Sequence, residues 1–96
     1  MTDRRQMTVE IAMKLFRDPN AQTKNGKRVR LLASTDPVLI EQLTDPCRAA
    51  TGTITGVNDD VTFVGFDGGN AQGTQPGKGG ISRGLVAGED RWEELP

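Results

Sequence analysis

Residues 50–66 predict two short β-strands joined by a tight turn, and no other part of the chain constrains the fold as strongly. The first strand is Thr51–Val57, the turn is Asn58-Asp59-Asp60, and the second strand runs from Val61 to Phe66. β-Branched and aromatic residues on both sides of an Asn/Asp turn are the usual signal of a β-hairpin. We expect the core to form from its apolar side chains: Ile54, Val57, Val61, Phe63, Val64 and Phe66.

Three more strands are predicted around this hairpin, at residues 27–33, 81–86 and 91–95. The alternation is clearest in the first of them, where Val29 and Leu31 face one side and Arg28 and Arg30 the other. Glycines at 52, 56 and 65 are typical of strand bulges or bends. Five short strands in this order predict a mainly β (α+β) fold, a small SH3-like barrel whose closure would remove the free sheet edges.

Two segments outside the strands favour helix. Met7–Phe16 fits both a strand period and a helix period, but its helix-forming residues favour a helix from about Arg4 to Arg17. Asp3 or Thr8 would cap that helix, and Asp18-Pro19 would end it. Residues 35–50 predict a long loop with one or two helical turns, which begin at Thr35 or Asp36 with Pro37 and end at Asp45-Pro46.

The predicted organisation is a single compact domain made of two parts. Residues 1–25 supply the N-terminal helix and a linker, and residues 26–96 supply the barrel. The polar, glycine-rich residues 68–80 predict a flexible loop. No apolar run approaches the roughly 20 residues that span a membrane, and the N-terminus lacks the apolar stretch of a secretory signal. A single cysteine, Cys47, excludes an internal disulfide, and we expect it to be a small buried residue in a cytoplasmic protein of a bacterial host.

The residues that most often carry catalysis are missing from the chain. It has no histidine and no tyrosine, which removes the commonest general base and the commonest nitrogen ligand of metals. We therefore expect no enzyme, no cofactor and no metal site. Gly73–Gly79 resembles a phosphate-binding loop but has three residues between its glycines instead of four, and Gly79 follows Lys78. The paired carboxylates at 59–60 and 89–90 are explained by turn chemistry.

Charge is distributed unevenly along a chain whose net charge is only -1. Residues 1–30 hold eight Lys or Arg and three Asp or Glu, whereas the remaining residues hold four and ten. A basic surface on a small barrel could contact phosphates, which makes nucleic-acid binding one hypothesis for the function. Its candidate residues are Arg5, Lys14, Lys24, Lys27, Arg28 and Arg30.

Several short pieces of the chain carry a family resemblance. The sequence resembles a family of small uncharacterised proteins of phages and other mobile elements, catalogued as a domain of unknown function. Its members are similar in having a short N-terminal helix followed by an SH3-like barrel, and the resemblance implies no catalytic residues. Residues 38–49 and 70–80 enlarge two loops relative to that pattern. The pieces are Gly26–Leu31, Asp36-Pro37, Gly52–Val57, Asp59-Asp60, Phe66–Gly69 and Leu85–Trp92.

The habitat of that family and the small size favour a protein-binding accessory factor of a phage or mobile element. Such a factor would engage a host or phage protein, and an inhibitor of a host defence system is one form of it. Nucleic-acid binding is the first alternative, and a small-ligand or nucleotide sponge is the second. No membrane is expected as a partner, and the sequence leaves the oligomeric state open. The predicted partner-binding residues are Asp36, Glu41, Lys78 and Trp92.

Overall fold

The computed structural model describes residues 3–69 and 79–96, which form one antiparallel sheet of five strands with two α-helices. A short 3-10 turn, Pro19–Gln22, follows the first helix. The helices are α1, Val9–Arg17, and α2, Pro37–Thr44. The strands are β1, Arg28–Ala33; β2, Thr51–Asn58; β3, Val61–Phe66; β4, Ser82–Val86; and β5, Arg91–Glu94.

The sheet is open, so the predicted closed barrel is not confirmed. Its strand order is β4-β3-β2-β1-β5, and β4 and β5 therefore form its two opposite edges. Within the described residues β4 and β5 form no ladder with each other, and an isolated bridge between Ala87 and Asp90 lies in the turn that connects them. The outer edge of β4 is partly occupied by the N-terminal residues, since the Gly84 amide donates to the carbonyl of Arg5 at 2.7 Å, and that amide is therefore not free to pair with β5.

The predicted hairpin is confirmed. β2 pairs with β3 from Gly52↔Phe66 to Asn58↔Val61, and the register shifts between Ile54 and Gly56, where glycine predicted a bulge. Asp59 in the turn adopts a φ of 55°, a backbone conformation that Asp tolerates better than most residues. Five of the six predicted core side chains are buried, and Val57 is half-buried against them.

The core consists of two groups of apolar side chains. The larger group lies beneath α2 and the smaller lies beneath α1, and both draw on the central hairpin. Trp92 packs half-buried against the larger group. The larger group contains Val29, Leu31, Leu39, Ile54, Val64, Phe66 and Leu85, and the smaller contains Leu15, Ala21, Val61, Phe63 and Val86.

Both predicted helices are present, but α1 begins five residues later than expected. Thr8 is its N-cap and accepts a hydrogen bond from the Ile11 amide at 3.1 Å, whereas Asp3 accepts from the Arg5 amide instead. In α2, Asp36 is the N-cap ahead of Pro37, as predicted. Within residues 3–69 and 79–96, neither α1 nor α2 is long and apolar enough to cross a membrane.

The prediction for Cys47 is wrong, and one other prediction lies outside the described residues. Cys47 is exposed, because it follows Pro46 in a surface turn where its amide donates to the Asp45 carboxylate at 2.9 Å. The glycine-rich loop and Lys78 fall largely within residues 70–78, which the structure does not describe.

One close contact fixes the position of α1 on the sheet. Leu15 lies directly over Gly56 of β2, where a Cβ atom would be only 2.8 Å from Leu15 Cδ1. Contacts this short force the neighbour to move, so the glycine permits the helix to approach the strand. The position of α1 therefore depends on the absence of a side chain at residue 56.

We predict that Gly56→Ala lowers the free energy of unfolding by about 1–3 kcal/mol, because the added methyl group overpacks the contact with Leu15. Gly65→Ala is the matched control, since a Cβ there would meet Thr55 Cγ2 at an ordinary 3.7 Å. Urea unfolding of both variants measures the difference. Equal stabilities of the two variants would contradict the proposed seating of α1.

Candidate protein interface

One side of α1 presents a row of apolar side chains to solvent. Val9 is 79% exposed, Met13 is 48% exposed and Phe16 is 83% exposed. Their spacing of four and then three residues places them on a single stripe of the helix. We call these three residues the α1 face. An exposed apolar stripe of this kind is a common mark of an interaction surface.

The attachment of α1 explains why the α1 face points outward. Leu15 is buried and Ile11 packs half-buried against the smaller core group. These two residues occupy the opposite stripe of the helix from Val9 and Met13. Because Leu15 is fixed over Gly56, α1 cannot roll to bury Phe16 without losing its own anchor.

A shallow groove runs along the α1 face. Its volume is about 480 Å³, and it is lined by Val9, Ala12, Met13, Phe16 and Arg17. Ala12 is small and lies between the larger side chains, so a second helix could approach closely there. The groove offers apolar contact and a cationic border and has no cluster of polar groups suited to a small ligand.

The charged side chains of α1 lack ion pairs within the described residues, unlike most charged side chains elsewhere in that part of the chain. Glu10, Lys14 and Arg17 form no ion pair with any residue in the two described ranges. The sheet and its loops hold ion pairs throughout, including Arg28–Asp67 at 2.5 Å and Lys24–Glu94 at 2.9 Å. An apolar stripe bordered on one side by charges of both signs has the composition of an interface core with part of its polar rim.

The predicted basic surface is mostly neutralised by carboxylates. Lys24 and Arg28 are paired as above, and Arg30 Nη1 lies 3.5 Å from Glu93. Lys14 and Lys27 form no ion pair within residues 3–69 and 79–96. The six predicted residues do not converge on one open patch, because four of them are bound to acidic side chains.

The sixth predicted basic residue, Arg5, lies in the protein interior. It is 7% exposed and forms a hydrogen-bonded ion pair with Asp90, which is 6% exposed. Arg5 Nη1 also donates to the carbonyl of Gly84 at 3.2 Å. Ser34 donates its hydroxyl to Asp90 at 2.6 Å, and the Val86 amide donates to the same carboxylate at 2.7 Å. This is a structural ion pair and not a surface for phosphate.

Four carboxylates have lowered pKa values: that of Glu94 is lowered by the hydrogen bond from Lys24, and those of three aspartates by hydrogen bonds from arginine. Arg83 donates two hydrogen bonds to Asp36, at 2.8 and 2.9 Å, and holds the pKa of that carboxyl below its usual range. Arg28 lowers the pKa of Asp67 in the same way. Burial by itself raises the pKa of Asp90, but the hydrogen bonds it accepts from Arg5, Ser34 and Val86 outweigh the burial, and the net shift is downward. Asp36, Asp67 and Asp90 therefore accept hydrogen bonds in contacts that stabilise the fold.

The predicted partner-binding residues are each engaged within the fold, apart from Lys78, which lies outside the described residues. Asp36 caps α2 and binds Arg83. Glu41 lies 3.6 Å from Arg48 Nε, and Trp92 is half-buried against the core. A further exposed apolar residue, Ile40, lies on α2.

The signal for the α1 face in the sequence is the double periodicity of residues 7–16. The pattern at 7–16 fits both periods because the helix is apolar on two stripes, one with Ile11 and Leu15 and one with Val9, Met13 and Phe16. The inner stripe is covered and the outer one is exposed. A helix that is apolar on two sides but packs with only one has a side left for a partner.

Within the described residues, no group of three or more Cys, Asp or Glu side chains is placed to hold a metal ion. No protein-family model, no curated protein and no solved structure matches this chain. The resemblance to the mobile-element family stays a prediction.

We predict that Arg5→Met lowers the free energy of unfolding by about 3–5 kcal/mol, because it leaves the buried Asp90 carboxylate without its cation. Arg4→Met is the matched control: Arg4 is 54% exposed and pairs with Asp60 and Glu89 at the surface, where ion pairs contribute little. Chemical unfolding at neutral pH measures both variants. Similar stabilities for the two would contradict a structural role for the buried pair.

Proposed function

We propose that this chain is a small, non-enzymatic protein-binding module and that the α1 face is its docking surface. The observation that carries the proposal is the exposure of Val9, Met13 and Phe16 along one stripe of a helix whose other stripe is anchored. Helices that lay an apolar stripe against a partner use anchors at this spacing.

An accessory role for a phage or mobile element in a bacterial cytoplasm belongs to the same proposal. Its support is the short resemblance in the strands and turns together with the small size of the chain. The strand order β4-β3-β2-β1-β5 fits an opened form of an SH3-like barrel, and we propose that relationship for the fold. The docking surface then lies on α1, the helix that precedes the five strands, and not on the loops.

The ion pairs weigh against the nucleic-acid alternative. A phosphate-binding surface needs cations that are free to replace counterions. Arg5 is buried with Asp90, and Arg28 is held by both oxygens of Asp67, at 2.8 and 2.5 Å. The charges on α1 lie beside an apolar stripe, which suits a protein better than a phosphate backbone.

We predict that Phe16→Ser weakens complex formation by at least about tenfold, because Phe16 is the largest and most exposed side chain of the α1 face and large aromatic side chains usually dominate the binding energy of an interface. A fluorescent label on the exposed thiol of Cys47 allows sedimentation velocity to be measured in nuclease-treated bacterial lysate. The wild-type chain should sediment as a species larger than a monomer, and the Phe16→Ser chain should not.

Ile40→Ser is the matched control, since it removes an exposed apolar residue from α2 instead of α1. Thermal unfolding should be nearly unchanged for both variants, as expected for exposed positions. A complex that persists in Phe16→Ser would refute the proposal. A complex that is present in untreated lysate but absent after nuclease treatment would replace it with nucleic-acid binding.

A further inference from the structure

We infer that the α1 face binds the same face of a second copy of this chain, with the two helices antiparallel across a two-fold axis. The inference rests on the proposed function, because it names the partner for the docking surface proposed there. Two features of α1 support it: the positions of its charges and the sizes of its apolar side chains. Both are self-complementary about the same axis.

The charges of α1 match an antiparallel arrangement. Glu10 and Arg17 are seven residues apart, almost two full turns, so both lie on the same flank of the α1 face. A two-fold axis perpendicular to the helices brings this flank against the same flank of the second copy. Glu10 then faces Arg17 of the second copy, and Arg17 faces its Glu10. A parallel pair would instead set this flank against the opposite flank, where α1 has no charged residue.

The apolar side chains fit the same axis. The middle of the stripe falls between Ala12 and Met13, and a two-fold axis there places the large Phe16 opposite the small Val9 of the second copy. Ala12 faces Met13 on either side of the axis. In this register Arg17 of the second copy lies about two residues, or roughly 3 Å along the helix axis, from the position directly opposite Glu10. An arginine side chain is long enough to span that offset.

The size of the surface sets the strength of the dimer. A nine-residue helix with three exposed apolar anchors covers less than the roughly 800 Å² per partner of a standard interface. We therefore expect a reversible dimer with a Kd on the order of 10–100 µM. Such a dimer forms where the local concentration of the chain reaches this range.

Charge reversal tests this geometry directly by sedimentation equilibrium of the purified chain. Glu10→Arg alone sets the introduced arginine against Arg17 of the second copy, and Arg17→Glu alone sets the introduced glutamate against its Glu10. Each single variant should therefore dimerise about tenfold more weakly, because the two-fold axis turns two attractive pairs into two repulsive ones at once. An equimolar mixture of the two variants should restore association, because both cross-pairs are then of opposite charge. The double variant Glu10→Arg/Arg17→Glu should likewise dimerise with nearly wild-type affinity.

Circular dichroism of each variant shows whether α1 still forms, since both changes reverse charges that favour the helix dipole. The pattern of two losses and two rescues supports the antiparallel pair, and the rescues cannot come from unfolded chains. A wild-type chain that stays monomeric up to millimolar concentration, or single variants that dimerise as well as the wild type, would overturn the inference. If the purified chain is monomeric but Phe16→Ser still abolishes the complex in lysate, the inference fails and the proposed docking function stands.

Discussion

The buried ion pair between Arg5 and Asp90 determines how the two ends of this small sheet are arranged. β4 is an edge strand, and its outward amides at Gly84 and Val86 need acceptors. The carbonyl of Arg5 accepts from Gly84, and the carboxylate of Asp90 accepts from Val86. The guanidinium of Arg5 completes the arrangement by binding Asp90 and the Gly84 carbonyl. In a closed barrel this edge of β4 would pair with β5. Here its outward amides instead donate hydrogen bonds to Arg5 and Asp90, which lie far apart in the sequence.

This arrangement also fixes the start of α1. Gly84 permits the approach, since a Cβ atom there would lie 3.2 Å from Arg5 Cα and 2.5 Å from Val61 Cγ1. At the other end of the helix, Gln22 donates to the carbonyl of Phe16 at 2.6 Å, and Leu15 holds the middle over Gly56. A helix held at both ends and in the middle keeps one stripe on the core. Its other stripe is then exposed as a consequence of the fold.

Local features were predictable from the sequence, and long-range contacts were not. The hairpin, the Asp36-Pro37 helix start and the alternation of β1 are set by neighbouring residues, and all three are confirmed. Arg5 and Asp90 are 85 positions apart, and nothing near either residue indicates that the other is its partner. The open sheet edge and the pairing of the basic residues were not predictable for this reason, since both depend on where Arg5 and the other cations find their carboxylates. The double periodicity of residues 7–16 indicates two apolar stripes on α1, but which stripe faces outward depends on the long-range contact of Leu15 with Gly56.

The central claim is that the exposed stripe of α1 is a contact surface for a second copy of this chain. Hydrogen exchange of the backbone amides across a concentration series tests it most directly, because packing another helix on α1 slows its local opening. We expect the amides of residues 12–17 to become more protected as the concentration rises through the Kd, while those of β2 and β3 stay constant. Exchange rates in α1 that are independent of concentration up to the millimolar range would contradict the claim.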